Sequence, residues 1–187
     1  AVEAERGRSG AVVADAREPA RGGQQVFWRH AAHPCHVLGR GVSHQRLERA
    51  EAARLKGRLR AWDSLAVPRW AGVPEAHCAQ LGYFCLQLPA MQAAPDQPMP
   101  SREADMSDIR LFRQLNPFPM PGDGDGAPTW NNLLADLRAL ILRARPEVIV
   151  LPHPSLDPHP DHICAQAAVF EALQGLEWQP TTILGYA

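Results

Sequence analysis

The sequence predicts an α/β fold with a mostly parallel sheet. Three observations carry that reading. Val148-Ile149-Val150-Leu151 is a continuous apolar run, the pattern of a strand in the middle of a parallel sheet. An amphipathic helix precedes this run and a second helix follows it. TTILGY at 181–186 then supplies the next strand. Helix, strand, loop, helix, strand contains a βαβ unit, whose crossover is expected to be right-handed. In such sheets ligands sit beyond the carboxyl ends of the strands.

The 187 residues suit one domain, and 45% apolar with 21% charged residues describes a globular chain. The formal net charge of −1 argues against a protein that grips nucleic acid or an anionic membrane, and no run reaches the length of a membrane span. That average conceals a split, because residues 1–70 hold 13 basic and 7 acidic side chains and the remainder holds 6 and 13. We read the asymmetry as an Arg-rich helix plus a poorly ordered end at 1–25, leaving a single domain at 26–187. Cys35, Cys78, Cys85 and Cys164 form no C-x-x-C pair and no disulfide framework. A reducing, cytoplasmic location is the expectation.

Leu47, Leu55, Leu59, Trp62 and Ala66 recur at helical spacing, so a helix is expected over 44–66 with Ser43 as its cap and a turn-rich stretch at 67–74. YFCLQL at 83–88 reads as a short buried strand closed by Pro89. The segment 89–128 carries eight prolines and GDGDG, and reads as a mobile or substrate-facing loop broken by a short helix near 105–115. Thr129 can cap a helix whose apolar stripe is Trp130, Leu133, Leu134, Leu137, Leu140, Ile141 and Ala144, ended by Pro146. Pro160 suits the first position of the following helix, and Gly175 suits its stop.

The loop after the 148–151 strand gathers His153, Asp157, His159, Asp161 and His162 within ten positions. Neutral imidazoles are good Zn²⁺ ligands, and a carboxylate beside one fixes its tautomer. The helix N-terminus adds partial positive charge, suited to an oxyanion or an anionic group. The alternative is that Asp157 and His159 merely cap the helix. A catalytic zinc site usually needs three protein ligands, so partners are required from outside this loop.

RPEVIVLPHPSLDPHPDHICAQAAVFEAL, with WNNLLADLRALILRA before it and TTILGYA after it, resembles the second signature of the PIG-L (LmbE-like) N-acetylglucosaminyl deacetylase family. The resemblance covers about residues 128–187. It implies a three-layer, Rossmann-like domain, a Zn²⁺ cofactor, and removal of acetyl groups from N-acetylated amino-sugar conjugates. It matches His162 to a zinc ligand, His159 to the group that stabilises the oxyanion, and Asp161 to the carboxylate that supports His159. The family's first motif has its nearest match in VFWRHAAHPCHVLGRG at 26–41, which makes His33 the implied zinc ligand. Cys35 and His36 stand where the family has acidic residues, so the general base is not carried over. His36 and Cys35 are possible replacement ligands, and Asp157 a possible replacement base. Chance similarity in a His-rich stretch is the other reading of 26–41. A non-catalytic sugar- or metal-binding module of the same fold is the alternative function.

Overall fold

The computed structural model describes residues 48–186. Four α-helices occur among them: α1 (Arg49–Trp70), α2 (Leu88–Ala93), α3 (Trp130–Ala144) and α4 (Pro160–Leu173). The strands are β1 (Val148–Pro152) and β2 (Thr182–Tyr186), with 3-10 turns at Glu75–His77, Ile109–Phe112 and Pro121–Asp123. β1 and β2 pair in parallel, with Val148 opposite Thr182 and Pro152 opposite Tyr186. β1, α4 and β2 therefore form the expected βαβ unit, and the α/β class holds. Among the described residues the sheet has two strands.

α3 forms as its periodicity requires. The Thr129 hydroxyl accepts from the Asn132 N–H at 3.1 Å, and Arg145 ends the helix in the left-handed region at φ 45°. Its apolar stripe meets Cys164, Ala168, Ala172 and Leu173 of α4 in the core. Trp130 is 1% exposed and its indole N–H donates to Glu171 at 3.0 Å, tying α3 to α4. Ile149 and Ile183 pack against this cluster from the sheet. The opposite face differs from a mid-sheet strand, because Val148 and Val150 remain 49% and 60% exposed.

Three expectations are corrected. The 83–88 stretch is not a strand: Phe84 packs edge-on against Phe112, and the chain turns at Leu86 with φ 60°. The N–H groups of Leu86 and Leu88 go to the Asp161 carboxylate instead of a ladder. The first helix runs on to Trp70 through Pro68, since a proline in the last turns removes only one N–H from the helix ladder. The 89–128 segment is built into the protein, with Met91 and Ile109 at 0% exposure and Met120 at 5%. The short helix expected near 105–115 is the 3-10 turn at Ile109–Phe112. Ser43, the 1–25 segment and the 26–41 stretch lie outside the described residues. No helix among the described residues is long and apolar enough to cross a membrane.

A buried ionic cluster organises the middle of the chain. Asp136, on α3, is 0% exposed and faces away from solvent on an otherwise amphipathic helix. It accepts from Arg113 Nη2 at 2.5 Å, from the Tyr83 hydroxyl at 2.8 Å and from the Gly122 N–H at 2.7 Å. Arg113 also donates to Leu81 O at 2.7 Å and pairs with Asp123 at 3.0 Å. A Cβ at position 122 would lie 2.8 Å from Asp136 Oδ2, so only glycine lets this backbone reach the carboxylate. Burial, and then the Asp136 charge, hold the Tyr83 phenol far above its ordinary pKa. Burial disfavours the Arg113 charge, but the Asp136 bond and charge outweigh it and raise the Arg113 pKa.

Asp136→Ala leaves the buried Arg113 with Asp123 as its remaining carboxylate and removes the acceptor of the Tyr83 hydroxyl and the Gly122 N–H. The expected cost is about 3–5 kcal/mol, or a fall in Tm on the order of 10 °C. Thermal denaturation followed by circular dichroism measures it, and a loss below about 1 kcal/mol would contradict this assignment.

Candidate functional site

β1 delivers the loop 153–159 to the carboxyl end of the sheet. The His153 N–H donates to Tyr186 O at 2.8 Å, which prolongs the pairing by one residue. The Asp157 N–H then returns to His153 O at 2.8 Å, closing a tight turn. A Cβ at Gly185 would lie 2.8 Å from His153 Cδ2, so glycine in β2 makes room for that imidazole. His153 Nδ1 accepts the Ser155 N–H at 3.2 Å and is committed to the turn.

His159 is the cap of α4, with extended backbone at φ −62° and ψ 128°. Its Nδ1 accepts the Asp161 N–H at 3.2 Å, one of the donors a helix start leaves open. With Nδ1 accepting, the neutral ring carries its proton on Nε2. Pro160 occupies the first turn as expected. The His162 ring lies beside that of His159, with centroids 4.7 Å apart and planes tilted by 39°.

His162 Nδ1 pairs with Asp157 Oδ2. Asp157 Oδ1 also accepts the His159 N–H at 3.3 Å. The hydrogen bond from His162 is the main cause that holds the Asp157 carboxyl below its usual range, with the His159 N–H adding to it. An imidazole whose Nδ1–H is held by a carboxylate presents the Nε2 lone pair, the arrangement in which histidines ligate metals. Asp157 is thus both a turn-capping side chain and the partner of His162.

Asp161 departs from the role that the resemblance implies. Its carboxylate accepts the N–H of Leu86 at 2.5 Å and of Leu88 at 3.3 Å, so it fastens the 85–88 turn to the first turn of α4. What His159 receives from Asp161 is the backbone N–H, not the carboxylate. Cys85, exposed on the same turn, lies against Asp161, and burial followed by the Asp161 charge pushes its thiol pKa up. The 85–88 turn was not foreseeable as part of this site, because it is some 75 residues away in sequence and carries no motif.

His33, Cys35 and His36 lie outside the described residues. Among the described residues, no group of three or more His, Cys, Asp or Glu side chains is placed to hold a metal ion. The loop therefore supplies one imidazole oriented by a carboxylate, beside a second imidazole whose Nδ1 is taken up by the helix cap, which is fewer groups than a metal site needs.

Two outcomes follow from this geometry. Asp161→Ala should cost about 0.5–1.5 kcal/mol by removing two bonds, one of them exposed to water, and amide hydrogen exchange should quicken at Leu86 and Leu88. Unchanged protection there would show that the clamp is absent in solution. Asp157 should titrate below the ordinary value of about 3.9 and return towards it in His162→Ala, as read by carboxyl carbon chemical shifts. A folded pKa below the unfolded one adds stability above pH of about 3.9, and that contribution fades as pH falls through the folded value. No family model, curated protein or solved structure matches this chain.

Proposed function

We propose that the 153–162 loop is one half of a zinc-dependent amide hydrolase site acting on N-acetylated amino-sugar conjugates. The observation that carries this reading is the Asp157–His162 pair, which leaves His162 Nε2 available at the carboxyl end of β1. His162 would hold the zinc, together with His33 and His36. When bound, zinc supplies the Lewis acidity that activates water near neutral pH.

The chain's own residues divide the remaining work. His159 donates from Nε2 to the oxygen that gains charge as the acetyl carbonyl is attacked. One well-placed donor of this kind is worth on the order of 3 kcal/mol. The partial positive charge of the α4 N-terminus favours the same oxygen. Asp157 keeps His162 in the ligating tautomer. Asp161 keeps the 85–88 turn against the helix start and takes no part in proton transfer.

A second reading is a non-catalytic sugar- or metal-binding module of the same fold. It is favoured by a specific observation: both loop carboxylates are already engaged, Asp157 with His162 and Asp161 with two backbone N–H groups. Neither stands free to act as the general base.

Zinc binding to the full chain, followed by competition with a chromogenic chelator, tests the metal. Asp157→Ala should weaken it about 10- to 100-fold, and His162→Ala should abolish it. Acetate release from a GlcNAc conjugate then separates the two readings. Chelator-sensitive release lost in His159→Ala supports the hydrolase; zinc binding without release supports the module. A chain that binds no zinc overturns both metal readings.

A further inference from the structure

We propose that His153 is a substrate-binding residue, its Nε2–H donating to a hydroxyl oxygen of the N-acetylated sugar. The inference rests on the reading of the 153–162 loop as a hydrolase or sugar-binding site, and adds to it a contact for the sugar ring itself.

Strand alternation fixes where the imidazole goes. Successive side chains of a strand point to opposite faces, so Ile149, Leu151 and His153 share one face. Ile149 packs against the core formed by α3 and α4, and Leu151 is 4% exposed, so this is the face that the helices cover. Leu151 pairs in register with Gly185, and the His153 ring lies against that glycine. The imidazole therefore stands at the carboxyl end of β1, on the side of the sheet from which α4 starts. The Asp157 N–H returns to His153 O, and Asp157 holds His162, so a single turn links His153 to the imidazole pair.

The half-buried ring is held at two corners. An added Cβ at Gly185 would lie 2.8 Å from Cδ2 and 3.2 Å from Cγ, while Nδ1 accepts the Ser155 N–H at 3.2 Å. With Nδ1 accepting, the neutral ring carries its proton on Nε2. That N–H makes no hydrogen bond with any described residue. A protonated Nε2 has no lone pair for a metal, so His153 is a donor and not a further zinc ligand.

The turn alone does not call for an imidazole. Asn or Asp at this position would accept the N–H two residues on with a shorter side chain, as in an Asx turn. Histidine does the same and extends a second, distal donor beyond the turn. Glycine in β2 makes the room for it. The acetyl oxygen is assigned to His159, so the acceptors left on the substrate are its hydroxyls. A donor of this kind discriminates by the presence or absence of one oxygen.

The test uses the full chain with zinc added and methyl N-acetyl-β-glucosaminide, titrated by calorimetry while acetate release is followed in parallel. His153→Asn keeps an acceptor for the Ser155 N–H but lacks the distal donor, whereas His153→Gln returns an N–H near the Nε2 position. His153→Asn should weaken binding about 3- to 10-fold, the worth of one hydrogen bond. Where acetate is released, the loss should fall in KM with kcat retained. His153→Gln should recover most of the affinity. Among the monodeoxy analogues of the sugar, one should lose affinity with the unmodified chain and lose none further with His153→Asn. Binding by His153→Asn equal to that of the unmodified chain overturns this inference alone and leaves the reading of the loop standing. A deficit in His153→Asn that is the same for every deoxy analogue also overturns it, as does a loss of zinc affinity in that variant. A chain that binds no sugar, with or without zinc, sinks the reading of the loop and this inference with it.

Discussion

The Asp136 carboxylate is where the irregular middle of the described chain converges. It sits in α3, yet its partners come from Tyr83, from Arg113 and from the Gly122 backbone. These belong to three separate stretches with little regular structure of their own. Taking a carboxylate out of water is costly, and the cost is offset only where each lone pair finds a donor. That requirement works as a constraint on the connecting segments. The Pro-rich region must bring both Arg113 and Gly122 to one point, and Asp123 must follow to satisfy the second arm of the guanidinium. A long loop thereby becomes part of the core, with Met91, Ile109 and Met120 buried along it.

This explains which parts of the architecture could be read from sequence. α3, β1, α4 and β2 were legible because each is specified locally: a helical apolar stripe, a capping Thr129, a proline at the first turn of α4, and a short apolar run. The 83–88 stretch was misread because a short apolar run is compatible with a strand, and the donor-accepting Asp161 that breaks the ladder lies far along the chain. Asp136 gave no signal either. An aspartate in a helix looks like a solvated residue until its partners are known. The 67–74 stretch reads as turn-rich, yet Pro68 sits so near the end of α1 that it interrupts only one bond.

The site was legible in composition but not in wiring. Five His and Asp residues in ten positions marked the loop, and the proline and His159 placed its helix start. The division of labour among the carboxylates was not visible, because Asp157 and Asp161 are equally polar neighbours in sequence. Spacing alone cannot tell that Asp157 turns to an imidazole and Asp161 to a remote backbone.

The Asp161 clamp bears on the order in which the molecule assembles. β1, α4 and β2 are neighbours in sequence and can meet through short closures, whereas the bond from Leu86 spans 75 residues. Chain entropy makes distant closures slower than near ones. The βαβ unit with its His159 cap can therefore exist before the 85–88 turn docks on it. The neighbourhood of the two imidazoles is completed only when the distant half of the chain arrives, so maturation of this corner reports on long-range folding rather than on local helix formation.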